Sequence, residues 1–305
     1  MESCFSKEIH NIFLHFHNSD TFNSKRSSSP TTPSHELQSL STKYPTITRH
    51  VKRFSEPISL VKFKKLIDNP DCEPFIIQNS INHWPSVQPD SPNSWSNVEY
   101  LRNTVGQYRL VPIEIGSSYS DSEWSQKLLY FGEYIDDYII GNKKPTAYLA
   151  QYDLLNQSTK LELDLGVPDY CLVDSKCFSS PQPHYSTLNP DPARTGSDCN
   201  HNSNCCGNTK LIKNIWFGPK NVTSPLHFDS FHNLYAMVSG HKYVKLVSHK
   251  YTDKVYPFPP DSLLSNTSQV DAEFPDPVKF PEFVSVPYFE SILSPGDLLY
   301  IPVSY

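Results

Sequence analysis

The chain has 305 residues, of which 13% are aromatic and 19% charged, and it carries 27 prolines against 10 glycines. So much aromatic surface can be buried in a core, which excludes wholesale disorder. A net charge of −6 with no large basic block argues against nonspecific nucleic-acid binding as the main task.

Reading from the N-terminus, the first residues carry acid and no apolar h-region, so no secretory signal is predicted. The apolar runs stay far below the ~18–20 residues that a membrane span needs. The expectation is an intracellular, reducing setting that keeps the seven cysteines free. Residues 1–50 are expected to form a disordered leader rich in Ser, Thr and Pro. Within it, Ile12-Phe13-Leu14 is expected to form a short helix.

Order is expected from residue 51. Leu60, Val61, Phe63, Leu66 and Ile67 have helical spacing and predict a helix over 59–67. A short strand follows at 74–77, a helix at 95–105 and an alternating strand at 108–115. A helix is expected over 131–140, ended by Gly141, then a strand over 146–150. Residues 172–210 lack hydrophobic periodicity and are expected to be a surface insertion. Cys171, Cys177, Cys199, Cys205 and Cys206 lie there with His184 and His201, but no C-x2-C pair is present, which disfavours zinc. Removal of 176–207 is expected to leave the core folded. Strands are predicted at 211–217, 225–229, 233–238, 242–247, 288–293 and 298–303, with turns at Ser239-Gly240 and Pro295-Gly296-Asp297. Many short strands with such turns predict a β-sandwich or barrel.

His227-Phe228-Asp229 is the sharpest chemical signal. On a strand, residues i and i+2 share a face, so an imidazole and a carboxylate would converge. That is two thirds of the facial triad that holds non-haem Fe(II). The spacing alone equally fits a surface histidine near an aspartate. Lys242 alternates in phase with Val244 and Leu246, the apolar set. An ammonium aimed into a core is costly unless an anion meets it, and no acid is near in sequence. A ligand carboxylate would meet that need, whereas a lysine at the sheet edge would snorkel to water. Trp216 is in phase with Ile212 and Asn214, and Asn233 with Tyr235 and Met237. Both faces fit a lined pocket or a satisfied core.

The run from Asn214 to Pro219, followed by Ser224-Pro225-Leu226-His227-Phe228-Asp229, Asn233 and Gly240-His241-Lys242-Tyr243, resembles the JmjC (jumonji-C) cupin oxygenases. The stretch from Val111 to Tyr119, Tyr148-Leu149-Ala150-Gln151, Val167-Pro168-Asp169-Tyr170-Cys171, the stretch from Asn266 to Asp271 and Ile292-Leu293-Ser294-Pro295-Gly296-Asp297 are similar to the branch that holds lysine demethylases and arginyl hydroxylases. The resemblance covers 51–305 apart from the insertion. It implies a mostly β, double-stranded β-helix (cupin or jelly roll) with flanking N-terminal helices. It also implies Fe(II) and 2-oxoglutarate as co-substrate, with His227 and Asp229 as iron ligands. Lys242 would pair the distal carboxylate of 2-oxoglutarate, Tyr119, Ser224 and Asn233 would surround it, and Trp216 would form a pocket wall. The implied activity is hydroxylation of a protein side chain, as histone lysine demethylation or arginyl hydroxylation. The implied partner is a protein or peptide, such as a histone or another nuclear protein, with no direct nucleic acid and no membrane. A nuclear location, with cytoplasm as a second compartment, follows from the resemblance, and Lys25-Arg26 is its local support.

One departure counts against activity. The family's third ligand is a histidine that would fall two residues past Tyr305, so the chain reads as a C-terminally truncated cupin. The absent closing strands are expected to leave an interior strand as an open edge. His232 and His241 are out of register to substitute. The rival reading is a catalytically inactive JmjC-fold binding module. A third is a cupin-type binding protein without iron.

Overall fold

The computed structural model describes residues 9–17, 47, 49–116, 124–173, 211–303 and 305, the first of these segments by its backbone. The first element is a strand, β1 (Ile9–His17), and β2 (Lys52–Phe54) follows. Helix α1 (Leu60–Ile67) starts where Ser59 accepts a hydrogen bond from the Lys62 amide, an ordinary N-cap. It buries Phe63 and Ile67, one turn apart, and Lys64 and Lys65 face the negative end of its dipole. Burying a side chain such as Phe63 contributes roughly 2 kcal/mol. Strand β3 (Phe75–Ile77) is buried throughout.

Helix α2 (Val98–Val105) begins three residues later than the sequence suggests, because Asn97 takes the cap by accepting from the Tyr100 amide. Trp95 is held in the preceding turn, where its indole N–H donates to Asp164 at 2.9 Å. The same buried carboxylate accepts from the Tyr100 hydroxyl and the Asn93 amide, so its desolvation is offset by three donors. Strands β4 (Leu110–Ile115) and β5 (Ser125–Tyr130) come next. The short helix α3 (Phe131–Tyr134) runs into a π-helical turn, Ile135–Ile140, which Gly141 ends as expected. Strands β6 (Ala147–Tyr152), β7 (Ile212–Gly218), β8 (His232–Ser239), β9 (Lys242–Leu246), β10 (Phe289–Leu293) and β11 (Leu298–Ile301) complete the set.

Nine strands form one sheet in the order β2-β3-β11-β8-β1-β7-β6-β4-β5, and β9 and β10 pair antiparallel as a second layer. The result is a cupin-like jelly roll with helices on its N-terminal side. Alternation along β8 divides the interior in two. Leu234, Ala236 and Val238 join Phe63, Trp84, Trp95, Ile215, Phe217 and Tyr300 in the larger core. Tyr235 and Met237 face the other way, packing with Leu246, Leu293 and Leu299. Arg53 fastens β2 across this arrangement, donating to Asp297 (3.0 Å), the Ser291 hydroxyl (2.8 Å) and the Ile292 carbonyl (2.6 Å). The turn at Asp297 needs glycine at 296: φ is +96°, and a Cβ would collide with the Asn82 side chain.

Several expectations are corrected here. Ile12-Phe13-Leu14 lies in β1 and not in a helix, because a slot between β7 and β8 offers its backbone a ladder on both sides. In consequence β8 is not an open edge: β11 flanks it on one side and β1 on the other. The stretch 225–229 is no strand. It makes a single bridge, His227 to Thr267, backed by backbone bonds from Phe228 to Asn266 and from Ser268 to Leu226. Strands β2 and β5 were not anticipated. β5 is an outer strand with Leu128 and Tyr130 exposed, so burial leaves little imprint on its sequence. Most of the 172–210 insertion and residues 18–46 of the leader fall outside the described residues. Among the described residues no helix is long and apolar enough to cross a membrane.

Candidate functional site

Strand β9 carries Lys242 to the inner layer. Leu246 is buried and Val244 packs beside it, so the inward set is Lys242, Val244 and Leu246, as alternation requires. The intervening residues serve the outer face. The Tyr243 hydroxyl donates to Glu290 at 2.6 Å, and the Lys245 ammonium donates to the Ala272 carbonyl and stacks over Tyr288. Lys242 points its ammonium at the Tyr148 ring, 5.7 Å from the centroid. Burial alone accounts for its pKa, which is pushed down to about 8. Among the described residues no carboxylate joins it.

Tyr148 sits on β6 in a small cluster with Trp216 and Val222. Its ring packs closely against Gly218, where a Cβ would come within 2.6 Å of Cδ2. Burial drives the Tyr148 and Tyr235 hydroxyls well above the usual phenol range, and each stays a protonated donor at neutral pH. Trp216 is itself buried on β7, two residues from Asn214.

The second group lies in the loop between β7 and β8. His227 is exposed, and its Nδ1 is 2.8 Å from the Pro225 carbonyl. A carbonyl can only accept, so Nδ1 carries the proton and Nε2 keeps the lone pair, the tautomer suited to a metal ligand. Asp229 accepts a 2.8 Å hydrogen bond from the Asn233 amide at the start of β8. Asn233 is buried, and among the described residues its Oδ1 has no hydrogen-bond partner. Ser224 is half-buried in the same loop. Tyr119 lies outside the described residues.

The structure therefore joins Asp229 to Asn233, and Lys242 through Tyr148 to Trp216. Asn233, Tyr235 and Met237 line one face of β8 between the two groups. Among the described residues no set of three or more His, Cys, Asp or Glu side chains comes together. His227 and Asp229 lie in the loop between β7 and β8 and not on a strand, so the alternation expected to bring the imidazole and the carboxylate together does not apply there. His232 is buried, and its Nδ1 accepts from the Val303 amide and the Tyr300 hydroxyl, so it has the structural role its register suggested. Cys171, the described member of the cysteine-rich group, is free, and burial pushes its thiol up to about 12. It is no thiolate at neutral pH. Tyr148 was not singled out from the sequence. It stands in Tyr148-Leu149-Ala150-Gln151, a block of the family resemblance, but no role at the site was assigned to it. A surface cavity of about 750 Å³, lined by Arg102, Tyr108, Arg109, Tyr130 and Gln157 among others, contains none of the candidate residues.

Residues 69–305 match the family of cupin-like domains. The chain belongs to the JmjC cupin family. It is 38% identical to JmjC domain-containing protein D of Dictyostelium discoideum over 84% of this chain and 52% of that protein. It is also 38% identical to lysine-specific demethylase 8 of Xenopus tropicalis, over 76% of this chain and 44% of the relative. The human bifunctional peptidase and (3S)-lysyl hydroxylase is 24% identical over 75% of the chain. This JmjC chain thus spans about half the length of the first two relatives.

Proposed function

We propose that this chain carries the site of an Fe(II)- and 2-oxoglutarate-dependent oxygenase that hydroxylates a protein side chain. The observation that carries the reading is Lys242. Its ammonium is desolvated, inward-facing and without an acidic partner among the described residues. The distal carboxylate of a small dicarboxylic acid is the partner such a group lacks. The donor set near Asp229 fits the metal half of the reading. His227 presents the correct tautomer, and Asn233 orients the Asp229 carboxylate with one amide group. Its buried Oδ1 remains able to accept from a bound water or a co-substrate.

In this reading His227 and Asp229 would hold Fe(II), which would supply the redox chemistry by which O2 gives one oxygen atom to 2-oxoglutarate, leaving succinate and CO2, and the other to a substrate C–H bond, leaving C–OH. Lys242 anchors and orients the co-substrate. Trp216 and Tyr148 exclude water around its chain, and the Tyr148 and Tyr235 phenols stay protonated. Hydroxylation of an N-methyl group leads to demethylation through loss of formaldehyde, so one chemistry serves demethylase and hydroxylase alike. The relatives' names favour lysine as the side chain, with arginine as the alternative and a histone or other nuclear protein as the partner. A nuclear location belongs to the same proposal.

The second reading, a JmjC-fold binding module without turnover, is favoured by one observation: among the described residues no three His, Cys, Asp or Glu side chains come together as a metal site would need. Iron content and succinate release of the purified chain separate the two. Stoichiometric iron with 2-oxoglutarate-dependent succinate supports the oxygenase. Binding of 2-oxoglutarate with no succinate supports the module.

A further inference from the structure

Helix α2 ends at Gly106, whose φ of +95° turns the chain into Gln107, Tyr108 and Arg109 before β4 begins. This turn is pinned to the start of α3. The Phe131 amide donates to the Arg109 carbonyl at 2.8 Å, and the Gly132 amide to the Gln107 carbonyl at 2.9 Å. The surface cavity of about 750 Å³ opens here, bounded by the turn and by Tyr130 at the end of β5. It lies at the end of β4 away from the candidate site. Leu110 precedes Ile115, which pairs with Ala147 beside Tyr148, by five residues. Such a length of strand spans roughly 16 Å.

Among the described residues none that lines the cavity is acidic, in a chain with 32 acidic and 26 basic residues. Of its two arginines, Arg102 is neutralised by Asp136 and Glu99. Arg109 has no such partner: among the described residues no carboxylate reaches it. Its Nε donates to the Val105 carbonyl at 3.0 Å and its Nη1 to Gln157 Oε1 at 3.3 Å. Gln157 is fixed in turn by donating to the Tyr152 hydroxyl. The guanidinium is thus held along one edge, with most of its five N–H donors left for an anion.

An apolar ridge continues from the cavity. β4 and β5 are antiparallel, with Leu110 opposite Tyr130 and Pro112 opposite Leu128, so these four share a face. Val111, Ile113 and Leu129 take the core side. Leu110, Leu128 and Tyr130 stay exposed, and the exposed Tyr108 stands edge-on to Tyr130 at 6.1 Å. β5 is also the outermost strand of its sheet, and among the described residues β4 is its one ladder partner. An unpaired strand edge beside an apolar face is a template for an extended chain.

We propose that the cavity at Arg109 and the outer face of β5 form one docking site for an extended segment of a partner protein. The segment places an acidic side chain on Arg109 and apolar side chains, at alternate positions, over Leu128 and Tyr130. Its carboxylate supplies the charge that the cavity lacks, and the alternation follows from the strand period. The site shares no residue with the proposed oxygenase centre.

The probe is a fluorescent peptide, Leu-Ser-Leu-Ser-Glu-Ser-Leu-Ser-Leu, whose symmetric pattern suits either strand direction. Fluorescence anisotropy at low salt should show saturable binding to the full chain at micromolar concentration. Exchange of the peptide's Glu for Gln should weaken binding about tenfold, as should Arg109→Gln in the protein. Because Arg109 also holds the Val105 carbonyl, Leu128→Ser provides a second variant. Its side chain is 66% exposed, so the thermal midpoint should hold while affinity falls about fivefold. No binding up to millimolar peptide, equal binding of the Glu and Gln peptides, or an affinity that neither variant changes would overturn the proposal. So would a dimer of the chain in sedimentation that Leu128→Ser dissociates, since a second copy would then occupy the face.

Discussion

At Lys242 the fold has already drawn a half-buried side chain away from much of the water. The ammonium lies over Tyr148, Tyr148 leans on Gly218 and clusters with Trp216, and all of these groups sit on strands. At His227 and Asp229 the setting is the reverse: a loop with one bridge to Thr267, an exposed imidazole, and a carboxylate held by one amide. The difference teaches that the two halves of the candidate site are built by different means. The anion-binding half is fixed by sheet packing and costs desolvation before any ligand arrives. The half proposed to hold a metal lies in a loop, with its imidazole and carboxylate oriented by local hydrogen bonds.

The largest expected effect lies in the anion-binding half. Lys242→Ala should lower 2-oxoglutarate affinity several hundredfold or more, since breaking a buried charge pair costs roughly 3–5 kcal/mol. Affinity for Mn(II), a stand-in for Fe(II), should stay nearly unchanged. Calorimetric titrations of each ligand check both parts, and equal losses would erase the division between the halves.

Next is the pH dependence. Lys242 has a folded pKa of about 8 against a usual 10.5. Below pH 8 it is charged in both folded and unfolded chains, so the folded chain bears the full desolvation cost. Between 8 and 10.5 the unfolded chain binds a proton that the folded chain has released, so stability rises with pH. The rise amounts to about 3 kcal/mol over that window. Urea unfolding of the natural chain and of Lys242→Met at pH 7.5 and 9.5 should reveal the rise as a difference between them. Affinity for 2-oxoglutarate should fall over the same window as the charge is lost.

A smaller effect is expected at the support of Tyr148. Gly218→Ala places a methyl 2.6 Å from the ring and should destabilise the chain by about 2 kcal/mol. It should also weaken 2-oxoglutarate binding while sparing the metal. Smallest is Asn233→Ala, which removes the amide that orients Asp229. A loss of roughly tenfold in Mn(II) affinity is expected, with the thermal midpoint within a few degrees of the natural chain.

Much of this was legible in the sequence because period-two alternation encodes burial. The alternation of Lys242, Val244 and Leu246 places them on one face, and Leu234 to Val238 divide between two faces in the same way. Family resemblance supplied the proposed roles of His227, Asp229 and Asn233, of which the structure shows the hydrogen bond between Asn233 and Asp229. Three features were not legible, each for a physical reason. Tyr148 acquires its place beneath Lys242 from a contact between β6 and β9, far apart in sequence. β5 is exposed, so its pattern is weak. β1 has helix-compatible apolar residues, and only the slot between β7 and β8 makes it a strand, a tertiary choice that local propensity does not contain.

The central claim is that Lys242 is a desolvated cation awaiting a carboxylate, and its own titration tests this most directly. Selective labelling of lysine and NMR titration of the Lys242 ammonium, assigned by its loss in Lys242→Met, should give a pKa near 8 in the free chain. Saturating 2-oxoglutarate should raise it to 10 or above. A pKa near 10.5 without ligand, or one near 8 that 2-oxoglutarate leaves unmoved, would contradict the account.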